Sequence, residues 1–233
     1  GRCFVMGSDL QDDLSSKLAS GVEALGVSLS DAQLYQLMTY MALIQKWNKV
    51  YNLTALRDPG DMLTHHLLDS LTAIRPLMHH LQCASVDREV HTSLLDVGSG
   101  GGLPGVVIAI CCPTLRVTCV DAVSKKAAFV QQVAASLKLP NLKGVHARVE
   151  TLTERFDVIC SRAFASLPDF VTWSANALRD TGVWMAMKGK LPTEEMDALP
   201  MFAEVFHVEQ LQVPGLDAER CMIWMKKAPS SLA

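Results

Sequence analysis

The sequence predicts an α/β fold of the Rossmann-like type: a mostly parallel seven-stranded sheet with an antiparallel edge hairpin and an N-terminal helical extension. Three observations support this prediction. From residue 94 onward, short apolar runs alternate with helical segments, as in a parallel sheet covered by helices. A glycine-rich loop follows the first apolar run, as in nucleotide-binding βαβ units. The last two elements are consecutive strand-like runs.

The first part of the chain shows helical periodicity, so we divide the sequence into a helical extension at 1–91 and a Rossmann-like core at 92–233. Apolar residues recur in the extension at three- and four-residue steps, which is typical of helices with one buried face. The predicted elements are a loose start at 1–8, a helix at 9–25, a second helix capped by Ser30 and Asp31 and ending at 48–52, a third helix capped by Asp61 and disturbed by Pro76, and a surface connection at 83–91.

The core region alternates between strand-like and helical segments. Its short apolar runs are typical of strands that are buried on both faces. A Pro-Gly turn joins the last two runs, which predicts an antiparallel hairpin at the sheet edge. The predicted strands are 93–97, 115–120, 142–147, 156–160, 182–188, 203–212 and 219–227, and the predicted helices are 104–111, 124–138 and 167–178.

The composition is that of a folded globular protein. Hydrophobic residues make up 49% and charged residues 19% of the 233 positions, which argues against a disordered or fibrous chain. The longest apolar stretch, near 106–112, is too short to span a bilayer, and no signal-peptide pattern opens the sequence. We therefore expect a cytoplasmic protein that does not enter a membrane.

Charge and cysteine content limit the partners. The net charge is −3, which argues against non-specific coating of nucleic acid but leaves room for a local basic patch. The seven cysteines include no C-x-x-C pair and no zinc-type spacing. We therefore expect reduced thiols and no bound metal.

The glycine-rich loop at 98–102 is the expected ligand site, and within it we assign cofactor binding to Gly98, Ser99 and Gly100. Glycine occupies four of the five positions, which suits a tight turn that brings backbone close to a ligand. The preceding strand ends in Asp96, whose carboxylate would repel the pyrophosphate of a dinucleotide but would favour a cationic sulfonium. We therefore favour S-adenosylmethionine over NAD(P), with a purely structural turn as the remaining alternative.

Residues that directly follow the predicted strands should meet this ligand, because ligands of open parallel sheets bind at the carboxyl ends of the strands. Asp121, with Ala122 beside it, stands where a carboxylate reaches ribose hydroxyls, or else it caps the next helix. Val149 and Glu150 could contact adenine, largely through backbone, or form an exposed turn. Arg162 could hold the cofactor carboxylate or an RNA phosphate, or form a structural ion pair.

Residues 46–54 are more polar than a helical appendage needs. They interleave cations, aromatic rings and amides, a composition that suits stacking on bases and holding phosphates. Within this segment we interpret Trp47 and Leu53 as core residues, and Asn52 and the lysines as candidates for contact.

Further polar residues are placed where they could extend this contact. His66 shares a helical face with Asp69 or Ser70, which forms either an ordinary helix surface or a line of contact with the cleft. A Lys-Gly-Lys sequence after the fifth strand is either a pair of cations at the cleft mouth or a plain solvated turn. The residues that we predict to contact RNA are Lys46, Lys49, Asn52, Arg57, His66, Lys125, Lys126, Lys188 and Lys190.

Several motifs together resemble one known family. The glycine loop is shared by many methyltransferases, whereas the Trp-Asn and Ser-Arg-Ala-Phe blocks are much more specific. From about residue 20 to residue 227 the chain resembles the bacterial small-subunit ribosomal RNA guanine-N7 methyltransferases, also called glucose-inhibited division protein B. The matching blocks are Lys46-Trp47-Asn48-Lys49 with Tyr51-Asn52-Leu53-Thr54, His66 with Leu68-Asp69-Ser70, Asp96-Val97-Gly98-Ser99-Gly100 with Gly102-Leu103-Pro104-Gly105, Ser161-Arg162-Ala163-Phe164-Ala165-Ser166-Leu167, Lys188-Gly189, and Leu211-Gln212-Val213-Pro214 with Leu216-Asp217 and Glu219-Arg220.

The resemblance implies a class I methyltransferase fold with S-adenosylmethionine as methyl donor. It implies that Gly98, Leu103, Val149, Glu150 and Arg162 bind this cofactor. The implied substrate is a guanine in the decoding-centre loop of 16S rRNA, which we expect the protein to meet within the 30S subunit or an assembly intermediate. We expect the protein to act as a monomer.

Guanine N7 carries a lone pair and no proton, so its methylation needs no general base and we assign no catalytic residue. Rate enhancement should come from placing N7 in line with the methyl group. Because the narrow major groove of A-form RNA hides N7, the target base should lie in a loop or be extruded. Three other functions stay open: a methyltransferase for another RNA, a protein or a small molecule; a non-catalytic nucleotide-sensing protein; and an NAD(P) oxidoreductase.

Overall fold

The computed structural model describes residues 2–83, 92–162 and 164–229. Helix α1 (Arg2–Ala24) opens the chain, so the predicted loose start at 1–8 is wrong from Arg2 onward. This stretch contains no proline, the residue that would break the helix. The periodicity predicts one buried face with Leu10, Leu14, Leu18 and Val22. The last three are buried, whereas Leu10 is 51% exposed, so the prediction is wrong for Leu10.

Helix α2 (Asp31–Tyr51) begins and ends where the sequence predicts. Ser30 is its N-cap and forms a capping box with Gln33: the Ser30 hydroxyl accepts a hydrogen bond from the Gln33 backbone N–H at 3.1 Å, and the Gln33 side chain accepts one from the Ser30 backbone N–H at 2.9 Å. Asn52 ends the helix in the left-handed region, with φ of 49°, a conformation that asparagine tolerates well.

The third helical stretch is divided into pieces. Its N-cap is Asp58, whose carboxylate accepts a hydrogen bond from the Asp61 backbone N–H at 3.0 Å. The prediction that Asp61 is the cap is therefore wrong, because Pro59 can occupy the first helical position without losing a hydrogen bond. The break before Pro76 is confirmed. The pieces are α3 (Pro59–Met62), a π-helical turn (Leu63–Leu68), α4 (Asp69–Leu71) and α5 (Ile74–Cys83).

Within the described residues, one sheet contains seven strands: β1 (Ser93–Val97), β2 (Arg116–Asp121), β3 (Leu142–His146), β4 (Phe156–Arg162), β5 (Leu178–Lys188), β6 (Ala203–Leu211) and β7 (Arg220–Lys227). Their order across the sheet is β3-β2-β1-β4-β5-β7-β6. β1 to β5 pair in parallel, and β7 pairs antiparallel with both β5 and β6. The predicted parallel sheet with an antiparallel edge hairpin is confirmed.

Helices cover both faces of this sheet: α6 (Gly105–Cys111), α7 (Ser124–Ser136), α8 (Leu167–Ser174) and α9 (Thr193–Asp197). The predicted helix at 167–178 is shorter than expected, because a 3₁₀ turn (Ala175–Ala177) leads directly into β5, which starts at Leu178 rather than at residue 182. Helix α9 is missing from the sequence prediction. It buries none of its five residues, so it lacks the apolar periodicity on which such a prediction depends.

The N-terminal helices pack against one face of the sheet, where their apolar side chains share one hydrophobic cluster with α6 and α7. Hydrogen bonds from α2 reach three backbone carbonyls of the core: Gln33 Nε2 donates to Ile110 at 3.0 Å, Gln36 Nε2 to Leu137 at 3.2 Å, and the Tyr40 hydroxyl to Gly101 at 2.6 Å. The predicted division of the chain after residue 91 stays a prediction, because 84–91 lies outside the described residues.

Candidate functional site

The glycine loop leaves β1 at the point where the strand order reverses, between β2 and β4, which is where open α/β sheets bind ligands. Gly98 has a φ of +65° and donates a backbone hydrogen bond to Val120 at 2.9 Å. A Cβ at this position would overlap the ring of Phe164. At Gly100, by contrast, the space that a Cβ would occupy is open. Phe164 thus covers the loop at Gly98, whereas the loop is open to a ligand at Gly100.

Asp121 connects the end of β2 to the glycine loop. Its Oδ2 accepts a hydrogen bond from the Gly100 backbone N–H at 3.1 Å, and its Oδ1 accepts one from the Val123 N–H at 2.8 Å. The N-cap position of α7 is Val123, so Asp121 is not that helix's cap. Each carboxylate oxygen has a second lone pair, which leaves acceptors for a ligand hydroxyl.

Asp96 does not face the ligand side of the loop, contrary to the role that the sequence suggests for it. It is fully buried, and its Oδ2 accepts a hydrogen bond of 2.7 Å from the backbone N–H of Gly105, the first residue of α6. Among the described residues, Oδ1 has only the weakly bonding Cys160 thiol near it. Burial raises the pKa of Asp96 to about 7, and the Gly105 hydrogen bond opposes this rise. Its role is to hold the start of α6 beneath the loop.

A cavity of about 190 Å³ lies beside the loop. It brings together six of the predicted residues: Gly98, Ser99, Gly100, Leu103 and Arg162 from the cofactor set and His66 from the RNA set. Ile44, Leu53, Thr54 and Gly101 complete its lining. None of these four is among the predicted site residues, although Leu53, Thr54 and Gly101 belong to segments that the sequence singles out. Leu53 is at the same time the core residue that the sequence predicts.

The other predicted cofactor residues do not line this cavity. Val149 is buried in a 3₁₀ turn (Val149–Thr151) after β3, whereas Glu150 and Ala122 are exposed at the carboxyl ends of β3 and β2. The cavity is smaller than the roughly 300–1,000 Å³ of typical ligand pockets. It can therefore enclose one end of a nucleotide-sized ligand, while the other end would lie along the open edge toward Asp121.

Arg162 is held from three sides by the π-helical turn and the residue after it. Its guanidinium donates hydrogen bonds to the His65 carbonyl at 2.8 Å, to Asp69 Oδ2 at 3.1 Å and to His66 Nδ1 at 3.1 Å. A guanidinium has five N–H donors, so two are left for a ligand in the cavity. The structural ion pair that the sequence analysis left as an alternative does form, yet it does not exclude ligand binding.

His66 is neutral in this arrangement. Its Nδ1 can only accept from Arg162, because a guanidinium has no acceptor. The proton therefore lies on Nε2, which donates to the Thr54 hydroxyl at 2.7 Å. Burial, and then the nearby Arg162 charge, lower the pKa of His66 to about 4. Both ring nitrogens are engaged within the protein.

Asp69 connects Arg162 to a second arginine that the sequence analysis does not include in the site. Its Oδ1 accepts from Arg220 Nε at 3.0 Å while Oδ2 accepts from Arg162. The Asp69 side chain is only 6% exposed. We refer to Arg162, Asp69 and Arg220 as the arginine cluster. It carries one carboxylate for two guanidinium groups, so the cluster has a net positive charge beside the cavity.

The predicted RNA-contacting cations fall into two groups. Lys188 is engaged within the protein: its ammonium donates to Glu195 at 3.0 Å and to the Ala165 carbonyl at 2.9 Å, and its side chain is 16% exposed. The structure therefore favours an ion pair for Lys188 over either alternative from the sequence. The remaining cations are more accessible: Lys46, Lys49, Lys125 and Lys190 are exposed, as is Arg57, which donates to the exposed Asn52, and Lys126 is half-buried.

Two further findings concern the described part of the chain. None of its helices is both long and apolar enough to cross a membrane. No cluster of three or more His, Cys, Asp or Glu side chains in it could hold a metal ion.

Comparison with known proteins identifies relatives over nearly the whole chain. Residues 33–223 match the family model for GidB, rRNA small subunit methyltransferase G. The chain is 66% identical to the ribosomal RNA small subunit methyltransferase G of Polaromonas sp. strain JS666, over 90% of this chain and 92% of that protein. It is 63% identical to the protein of the same name from Paracidovorax citrulli, over 92% and 90%.

The fold is also found among solved structures. Coclaurine N-methyltransferase, solved with N-methylheliamine and SAH, superposes with a TM-score of 0.51 and 12% sequence identity, over 94% of this chain and 95% of that one. At this identity the likeness concerns the fold alone, which is that of class I methyltransferases.

Proposed function

The chain belongs to the rRNA small subunit methyltransferase G family, and we infer from this membership that it transfers a methyl group from S-adenosylmethionine to 16S rRNA. We propose N7 of a guanine in the decoding-centre loop as the methylated atom. The observation that carries the proposal is that the glycine loop, Arg162 and His66 meet at one cavity at the switch point of the sheet.

The residues present fit this cofactor. Ser99 lines the cavity, and its buried Oγ has no partner among the described residues except the weakly bonding Cys119 thiol, so most of its hydrogen-bonding capacity is unused. The cavity would take the amino-acid end of the cofactor, with Gly98, Gly100 and Leu103 against it. Asp121 and Ala122 would meet the ribose, and Val149 and Glu150 the adenine. When bound, the cofactor supplies a methyl group on a positively charged sulfur.

The protein's own side chains bind and orient in this proposal and move no proton. Guanine N7 has a free lone pair, so no base is required. His66 could not easily serve as one, because both of its ring nitrogens are engaged. The two unused donors of Arg162 would bind an anion, which is either the cofactor carboxylate or an RNA phosphate. Catalysis would then depend on positioning and on electrostatic complementarity.

The exposed cations would form the RNA contact. Lys46 and Lys49 lie on α2, whose Ile44 lines the cavity. Lys125, at the start of α7, lies close to the end of α2, with its Nζ 5.3 Å from the centroid of the Tyr51 ring. A protein with net charge −3 needs such a local patch, because its overall field repels phosphate. We propose that a monomer meets the RNA in the cytoplasm, within the 30S subunit or an assembly intermediate.

Methyl transfer with a labelled donor tests this function. Unmodified 30S subunits, deproteinised 16S rRNA and assembly intermediates would each be incubated with the protein and labelled S-adenosylmethionine, and the modified base mapped. We expect N7-methylguanine at one position of the decoding-centre loop. Label on another nucleotide, or no label on any of the three substrates, would refute the proposal.

A further inference from the structure

An aromatic pair lies next to the glycine loop. Phe164, two residues after Arg162, and Trp173, on α8, meet edge to face with ring centroids 5.8 Å apart and planes at 75°. The Phe164 side chain is half-buried, and 40% of Trp173 is exposed. Aromatic surface of this size is costly to leave in water. The function proposed so far assigns neither ring a role.

Phe164 is placed by the glycine loop. Its ring occupies the space where a Cβ on Gly98 would lie, and both Gly98 and Arg162 line the cavity. The ring therefore lies against Gly98, a residue that lines the cavity. A glycine at position 98 is required here both by its positive φ and by the presence of the Phe164 ring.

Core packing accounts for only part of this arrangement. Helix α8 turns Phe170, Val171 and Ser174 inward, where they are fully buried. Trp173 lies on the outer side of the same helix, and it contributes no ring to the buried cluster on this face. Its ring contacts Phe164 edge to face, and Phe164 in turn packs against that cluster while staying half-buried.

We propose that Phe164 is the stacking surface for the guanine that receives the methyl group, and that Trp173 is a positioning residue that holds the Phe164 ring. The inference rests on the proposed function and deepens it. A guanine brought out of its RNA stack loses its stacking partners, and an aromatic ring restores them. Because the transfer needs no base, the orientation of the purine ring is the main contribution that the protein can make.

The test compares ring removal with ring retention. Phe164→Leu keeps apolar packing but loses the stacking surface, and Phe164→Tyr keeps the ring. Phe206→Leu, which removes a 43% exposed ring from the edge strand β6, is the matched control. Methyl transfer to 30S subunits gives kcat and KM, calorimetry gives the Kd of S-adenosylmethionine, and the melting temperature reports folding.

We expect Phe164→Leu to lower kcat/KM for the RNA by about tenfold or more, the loss associated with one stacked base. Phe164→Tyr should recover most of that loss, and the Kd of S-adenosylmethionine should stay within about twofold in every variant. Trp173→Leu should lower kcat/KM by a smaller factor, about threefold. Because Trp173 is exposed, this variant provides the test if Phe164→Leu does not fold.

Three results would overturn the inference. Unchanged kcat/KM in Phe164→Leu, or in Trp173→Leu where the former does not fold, would exclude stacking. A weaker Kd of S-adenosylmethionine that accounts for the whole loss would make Phe164 a cofactor contact. Equal losses in Phe164→Leu and Phe206→Leu would indicate a general effect on stability. If the unmodified protein methylates none of the three substrates (30S subunits, deproteinised 16S rRNA and assembly intermediates), the proposed function fails, which is a separate outcome.

Discussion

Two sets of charges differ in how firmly the protein holds them: the arginine cluster, whose Arg162 lines the cavity, and the exposed lysines of α2. In the arginine cluster every charged group is bonded to a group on another element. Asp69 accepts a hydrogen bond of 3.1 Å from Arg162 on β4 and one of 3.0 Å from Arg220 on β7. Lys46 and Lys49 are exposed on the outer side of α2. The fold therefore fixes the positions of the charges in the arginine cluster, which we call the inner set. Lys46 and Lys49, the outer set, can reorient when a partner binds.

A substitution that breaks the arginine cluster should lower the free energy of unfolding more than any other change proposed here. Asp69→Ala leaves two guanidinium groups without their shared carboxylate. Removing one partner of a buried ion pair costs about 3–5 kcal/mol, and because the arginines are 21% and 26% exposed, we expect the lower end, about 3 kcal/mol. Urea unfolding measures this change.

Asp180→Ala is the matched control for Asp69→Ala. Asp180 also pairs with two cations, Arg155 at 3.8 Å and Lys227 at 3.3 Å, but its side chain is 85% exposed. Exposed pairs contribute at most about 1 kcal/mol. Similar losses in the two variants would remove the distinction between the two sets of charges.

Arg162→Ala should weaken ligand binding, and it should destabilise the fold less than Asp69→Ala does, because Asp69 keeps Arg220 as a partner. We expect a loss of roughly 1–3 kcal/mol in affinity for S-adenosylmethionine or for RNA, the size of a charged hydrogen bond. Calorimetry and filter binding identify which ligand the guanidinium holds. The control is Arg179→Ala at the opposite end of the strands, in an exposed pair with Asp157. If Arg162→Ala binds both ligands as the unmodified protein does, Arg162 is not part of the site.

Asp96 is a buried carboxyl group with a single strong hydrogen-bond partner, in contrast to Asp69 with its two arginines. We expect its titration to make the stability of the protein depend on pH. Its folded pKa of about 7 lies above the ordinary value of about 4, so the folded state binds the proton more tightly. Its contribution to stability is complete below about pH 4 and is lost as the pH rises through 7, with a slope of up to about 1.4 kcal/mol per pH unit.

Asp96→Asn cannot titrate, and its side-chain oxygen can still accept from Gly105. The difference between the two stability-pH curves isolates Asp96, which matters because the lowered pKa of His66 acts in the opposite direction between about pH 4 and 6.5. We expect the unfolding free energy of the unmodified protein to fall relative to the variant over pH 4 to 7. Parallel curves would show that Asp96 is ionised throughout.

The outer lysines should give the smallest effect, confined to RNA binding. Replacing Lys46 and Lys49 by glutamine should make the dependence of log Kd on log salt shallower by roughly 1 for each lysine that contacts a phosphate. Stability should not change. Lys17→Gln, on exposed surface of α1, is the control. A slope equal to that of the unmodified protein would remove these lysines from the RNA contact.

The sequence predicts the scaffold of this site better than its chemistry. The order of strands and helices follows from local apolar patterns, and so the position of the glycine loop at the carboxyl ends of the strands can be anticipated. The partners of Asp69 cannot be anticipated from the sequence, because Arg220 is 151 residues away along the chain. The π-helical turn that brings His65, His66 and Asp69 around Arg162 has no sequence signature either.

Asp96 shows a second limit. The last residues of a strand alternate between the two faces, yet whether a carboxylate turns toward the ligand or under the loop depends on the neighbouring helix start. Here the free N–H of Gly105 attracts it, since the first N–H groups of a helix lack partners within the helix. The prediction of a cationic ligand must therefore rest on the family and not on this carboxylate.

A crystal structure of the protein soaked with S-adenosylmethionine tests the central claim most directly. We predict the amino-acid end of the donor in the cavity against Gly98 and Arg162, with its ribose within hydrogen-bonding distance of Asp121. A donor bound elsewhere on the protein, or a different ligand held at that place while the donor is excluded, would contradict the account.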